Sequence, residues 1–201
     1  MYAKLLSSCL HGIDGKIIEV EVDLSNGLPV FHIVGLPDSA VRESIERVRA
    51  AIKNCGFVFP LQRITINLAP ADLRKEGSSF DLAIALGILV ASHQLQVENL
   101  SKTLIIGELA LDGTLRAVPG VLPMVDYAHK QGLHQVILPK NNASEAALIE
   151  HCKVIPISHL NDLNQKEYPT YVQNQEMSEH LRWSALDSVE KGSNDFCLWN
   201  A

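Results

Sequence analysis

Between Lys16 and Leu24 apolar and acidic positions alternate, Ile18, Val20, Val22 and Leu24 against Glu19, Glu21 and Asp23. A period of two is that of a strand with one buried and one wet face. Asn26-Gly27 then marks a tight turn, and Pro29 to Val34 supplies a second apolar run, so the pair reads as a β-hairpin. The first ten residues are expected to add another strand. The period changes after Gly35-Leu36-Pro37. Asp38 or Ser39 is placed to cap a helix running to about Asn54, in which Val41, Ile45, Val48 and Ile52 recur on one face. Cys55-Gly56 ends it. Arg63 to Ala69 reads as a strand, with Ile64, Ile66 and Leu68 on one side.

A second helix is expected from Ser78 to about His93. Its stretch Leu82 to Leu89 is apolar on nearly every side, which predicts a central, buried helix. Ser78 and Asp81, three residues apart, have the spacing of a capping box at its start. Beyond it the pattern predicts a strand over Thr103–Leu109, a turn at Asp112-Gly113 and a short strand over Leu115–Val118. A helix from Gly120 to Lys130 follows, then a strand over Gln135–Leu138, a helix over Ala143–Glu150, a strand over Val154–Ile157 and a short helix over Leu160–Gln165. Strands come first as a meander and then alternate with helices, so the expected class is α+β, a mixed sheet with packed helices. From about Tyr168 the chain turns polar and irregular. Residues 1–167 are therefore read as the domain and 168–201 as a linker or partly disordered tail.

Composition narrows the class. The 201 residues are 47% hydrophobic and 20% charged, with a formal net charge of -6, a balance that supplies a real core and argues against nucleic-acid binding over the whole surface. A local basic patch remains open. Cys9, Cys55, Cys152 and Cys197 are scattered, without a CxxC pair, which points to a reducing compartment rather than a disulfide framework. No zinc spacing accompanies His151-Cys152, so no metal site is expected. The start is too short in apolar residues for a signal peptide, and the run Leu82 to Ala91 is too short to span a bilayer. The expected location is cytoplasmic, away from membranes.

Three segments carry a resemblance. They are Gly35-Leu36-Pro37-Asp38 with Val41-Arg42-Glu43-Ser44 and Arg47-Val48-Arg49-Ala50-Ala51; the run from Ile64 to Leu82 that contains Asn67-Leu68-Ala69-Pro70-Ala71-Asp72-Leu73; and Gly107-Glu108-Leu109-Ala110-Leu111-Asp112-Gly113 running on to Pro119-Gly120. Together they resemble the amino-terminal domain of the Mg-chelatase-like AAA+ proteins of the ComM/YifB type, over roughly residues 1 to 165. The resemblance implies a ribosomal-S5-domain-2-like, Lon-protease-like fold. It further implies a full-length protein in which an AAA+ motor using ATP and Mg follows this domain, acting in DNA processing during natural transformation. Self-association, the motor module and DNA are the partners it suggests.

The groups that would carry chemistry are missing. A phosphate loop needs Gly, four residues and Gly-Lys-Ser/Thr. Ser101-Lys102-Thr103 lacks both glycines, so no cofactor is expected in this chain. In Lon proteases a serine within Gly-Pro-Ser-Ala-Gly is deprotonated by a lysine. Here Gly77-Ser78-Ser79-Phe80-Asp81 aligns with the serine turn, and Leu122 stands where the resemblance places the lysine. Leucine cannot act as a base, so no catalytic residue is assigned and the chain is not expected to be an enzyme. The alternatives weighed against this are a Lon-like hydrolase using another base, a Mg-chelatase ATPase component and a free-standing regulatory binding module. Arg42, Arg49 and Lys53 share a helical side by spacing, and Arg74 and Lys75 are placed with them as candidates for contacting DNA or a partner. No aromatic residues interleave with these cations along the sequence.

Overall fold

The alternating acidic strand becomes the backbone of the molecule. In the computed structural model, which describes residues 1–164 and 170–171, β1 (Tyr2–His11) and β2 (Asp14–Ser25) form a long antiparallel hairpin. β2 then accepts β4 (Arg63–Ala69) along its other edge, antiparallel, with Val20, Val22 and Leu24 opposite Leu68, Ile66 and Ile64. β3 (Phe31–Val34) pairs with β4, in parallel.

This overturns the expected hairpin across Asn26-Gly27. The seven-residue strand β4 brings three buried aliphatic side chains to the edge of β2, whereas β3 is four residues long and only half buried. Cross-strand side-chain pairs of this kind are what stabilise a sheet, so β4 displaces β3 to the outside. The parallel step is bridged by α1 (Ser39–Asn54), as parallel strands require. Asp38 caps that helix, accepting the Val41 N–H at 2.8 Å.

α2 (Asp81–Ala91) is buried at every residue but Val90, in keeping with its unbroken apolar sequence. It lies against β1 and β2. A side chain at Gly87 would meet Val22 Cγ2 at 2.6 Å, so the close approach of helix to sheet rests on that glycine. The helix is shorter than expected at both ends. The remaining strands extend the sheet from β1 in parallel: β5 (Thr103–Ile105), β8 (Gln135–Pro139) and β9 (Lys153–Ile157), giving the order β3-β4-β2-β1-β5-β8-β9. The expected strand over Thr103–Leu109 divides at Gly107, whose N–H donates to the Ser79 carbonyl. Glu108–Leu109, as β6, pairs instead with β7 (Leu115–Arg116).

α3 (Val121–Lys130) and the single-turn α4 (Ala143–Ala146) cover the opposite face. α4 stops four residues short of expectation, because Leu148 and Ile149 donate to carbonyls only three residues back and His151 takes a left-handed φ of 62° that turns the chain into β9. A 3-10 turn, Leu160–Asn164, stands where a short helix was expected. Two apolar clusters result, one under α1 and α2 and one under α3 and α4. β1 serves both: Ala3, Leu5 and Cys9 enter the first, while Leu6 and Leu10 pack on the second. No helix among the described residues is long and apolar enough to cross a membrane. The tail expected over 168–201, apart from Thr170 and Tyr171, lies outside the described residues.

Candidate functional site

Two places bear on function: the turn that precedes α2, and the outward side of α1. At the first, Ser79 is 6% exposed and its hydroxyl donates to the Ser8 carbonyl at 3.2 Å. Ser78 donates to Glu108 Oε2, whose other oxygen takes Arg116 Nη1 at 3.3 Å. The capping box does not form. Phe80 is the N-cap residue, with no side-chain cap bond. Asp81 turns inward, where Arg47 donates Nε at 2.7 Å and Nη2 at 3.1 Å to its two oxygens and the Leu109 N–H adds a third bond at 3.2 Å. A carboxylate with no exposed surface needs such a partner, and the guanidinium fork outcompetes a local cap because it supplies two charge-assisted bonds. Burial is the larger influence on the Asp81 carboxyl and pushes it up to about 6, against the pull of Arg47.

Two backbone N–H groups of this turn are also engaged. Leu82 donates its N–H to Gly107 and Asp81 to Ser78. At the position the resemblance aligns with the Lon lysine, Leu122 is half buried and its N–H donates to Glu145 Oε1 at 2.9 Å.

The second place gathers part of the expected basic strip. Arg49 and Lys53, one helical turn apart on α1, line a groove of about 200 Å3 with Pro29, Val30, Phe31 and Phe59 to Gln62. The Arg49 guanidinium lies 5.2 Å from the centre of the Phe59 ring, and Phe31 stacks on Phe59 at 6.5 Å with 20° between planes. Such ring faces hold the cation at the groove wall. Arg42 is exposed two turns earlier on the same helix, outside the groove. Arg74 is exposed and paired with Glu76 at 3.2 Å.

Lys75 does not belong to the strip. It is fully buried, its ammonium donates to the Pro70 carbonyl, and desolvation lowers its pKa. The cause lies in its backbone: Lys75 donates to Leu36 and accepts from Asp38, so the segment is stitched to the start of α1 and the side chain is carried inward. Sequence reasoning also missed Arg47 and the two phenylalanines. Arg47 had a signal, since it falls between buried Ser44 and Ala51 on the inward side of α1. Phe31 and Phe59 had none, because their meeting depends on β3 lying beside β4.

The mixed sheet, the buried helix behind a serine turn and the helices on both faces define an α+β domain, consistent with a ChlI or Lon-like domain. Residues 20–142 match the family described as subunit ChlI of Mg-chelatase, and the chain belongs to that family. It is 49% identical over 147 residues to competence protein ComM of Haemophilus influenzae, covering 73% of this chain and 29% of that protein. Identity to protein YifB of Escherichia coli is 46% over 149 residues, 74% of this chain and 29% of the relative. An uncharacterized Mycobacterium tuberculosis protein is 44% identical over 160 residues, 80% of this chain and 32% of its own length. A more distant likeness, 26% over 144 residues, is to Lon protease 2 of Bacillus subtilis, covering 64% of this chain and 26% of that protein. The chain thus spans about a third of the length of the mycobacterial relative and somewhat less of the others.

Proposed function

We propose that this chain is a non-catalytic contact module of a ComM/YifB-like, Mg-chelatase-related AAA+ protein that processes DNA during natural transformation. The observation that carries the reading is the contrast between its two places. The Ser79 hydroxyl is tied to a backbone carbonyl and the position of a Lon base holds leucine, whereas Arg42 and Lys53 of α1 are exposed and Arg49 is half exposed beside them. The likeness to a competence protein supports the setting. On this reading the chain itself holds no cofactor, ATP and Mg2+ belonging to the motor module, and it works in the cytoplasm.

Two measurements test it. The Arg42→Ala/Arg49→Ala/Lys53→Ala variant is expected to bind a DNA duplex more weakly than the parent and with a shallower salt dependence. The log–log slope should fall by about 0.9 for each phosphate that the variant no longer neutralises. Unchanged affinity and slope would remove DNA binding from the reading. A competing Lon-like hydrolase is favoured by the distant likeness to Lon protease 2. Incubation with a fluorophosphonate probe decides between them: the contact module stays unlabelled, and covalent labelling abolished by Ser79→Ala establishes the hydrolase.

A further inference from the structure

The large sheet ends on one side in β9 and on the other in β3, and the two edges are finished differently. The outer side of β9 receives the Tyr171 N–H on the Val154 carbonyl at 2.9 Å. Among the described residues nothing pairs with the outer side of β3. The Val30 carbonyl accepts from Ile64 at 2.8 Å, so alternation along the strand turns the backbone N–H and C=O of Phe31 and Ile33 away from β4. An open edge is a template for another strand, and proteins ordinarily shield it with charge, proline or a covering segment.

Pro29 and Pro37 flank this strand, and exposed apolar side chains accompany it. Of the eleven strongly exposed large hydrophobic residues described, six, Leu28, Val30, Val34, Leu36, Val58 and Leu61, fall along β3 and the segment leading into β4, and Leu28 and Leu61 are 79% and 82% exposed. Val30 and Leu61 meet in the groove at the start of the strand, and exposed apolar surface brought together there suits a binding face for another macromolecule. The groove at the start of the strand adds charge. Lys53 is exposed, and Arg49, whose Nη1 faces the exposed Glu46 carboxylate at a loose 3.7 Å, keeps a buried Nε with no hydrogen-bond partner among the described residues.

We propose that β3 docks an extended acidic peptide segment of a partner protein, which adds to the sheet as an eighth strand and places a carboxylate between Arg49 and Lys53. The main chain of the segment takes the free groups of Phe31 and Ile33, its apolar side chains lie against Val30 and Leu61, and its charge meets the two cations. This mode joins backbone affinity to side-chain specificity. A nucleic-acid strand fits less well, because it has no use for the open backbone edge and because Phe59 already carries Arg49 on its ring and Phe31 beside it. The proposal rests on the reading of the chain as a contact module and names the partner of the same Arg49/Lys53 surface.

The test uses the full chain and a short fluorescein-labelled peptide alternating valine and glutamate. Saturable binding by anisotropy is expected, weakened roughly tenfold or more in Arg49→Gln/Lys53→Gln, the scale on which charge-assisted hydrogen bonds act, with an unchanged denaturation midpoint showing that the variant folds. The backbone component is read on the peptide, so no fold is at risk. N-methylation of one alternate set of its residues abolishes binding and methylation of the other set leaves it. Equal binding of both methylated peptides, indifference to the double variant, or no binding at all overturns strand addition. So does an oligothymidylate that binds in a variant-sensitive way where the peptide does not. Failure of the peptide alongside a retained salt response to DNA sinks this proposal and leaves the contact-module reading standing.

Discussion

Arg47 and Asp81 join α1 to the start of α2 and, through the Leu109 N–H, to β6. Removing one partner strands a charge in the interior, which costs about 3–5 kcal/mol. Arg47 is 22% exposed, so the lower end applies, and Arg47→Ala is expected to destabilise the fold by about 3 kcal/mol in urea denaturation. Arg47→Met/Asp81→Asn should recover most of that, since the amide can still accept from Leu109. The same carboxyl gives a pH signature. Its folded pKa, about 6, lies above the ordinary carboxylate value, so on acidification the folded protein takes up this proton before the unfolded chain does. The contribution of Asp81 to stability therefore rises as pH falls from 7 to 5, by about 1 kcal/mol. Unfolding at both pH values should show the parent gaining on Asp81→Asn by that amount; a gap that stays constant refutes the assignment. Lys75 yields an expectation of the opposite kind. Because its amine is buried on the Pro70 carbonyl, Lys75→Met should leave DNA affinity and its salt slope unchanged. A weakening that matches the Arg42/Arg49/Lys53 variant would return Lys75 to the surface.

At the scale of elements, α2 shows where propensity and packing conflict. Alanine is favoured over glycine within a helix by about 1 kcal/mol, yet a Cβ at Gly87 would stand 2.6 Å from Val22 Cγ2 and 3.0 Å from Leu5 Cδ1. Val22 is stiff and fixed in the middle of β2, so overpacking, at about 1–3 kcal/mol, is expected to win. Gly87→Ala should lower the melting temperature, and a rise would mean that helix and sheet can part at little cost. This helix was legible in the sequence because ten of its eleven residues are buried and an apolar surface on every side permits little else. So were β2 and β4, whose alternation survives intact in the burial of Ile18 to Leu24 and Ile64 to Leu68. The partner of β3 was not legible. Asn26-Gly27 is a sound local signal, but the choice between β3 and β4 as neighbour of β2 is made by aliphatic area brought from roughly forty residues away, which no local pattern records.

At the scale of the whole molecule the basic surface was half legible for the same reason. Helical spacing alone puts Arg49 and Lys53 on one side of α1, and both line the groove. Lys75, adjacent in sequence to exposed Arg74, is drawn inside by backbone bonds to Leu36 and Asp38, and the aromatic wall exists only once three segments have converged. The placement of β1 has a kinetic consequence. A strand that feeds side chains to both apolar clusters ties the loosening of either layer to the opening of the other. Amide protons of Leu5 and Leu6 should accordingly exchange with deuterated solvent only when the entire domain opens, at the rate set by global unfolding. Neighbouring amides of this strand that exchanged at distinctly different free energies would reveal two separately melting halves.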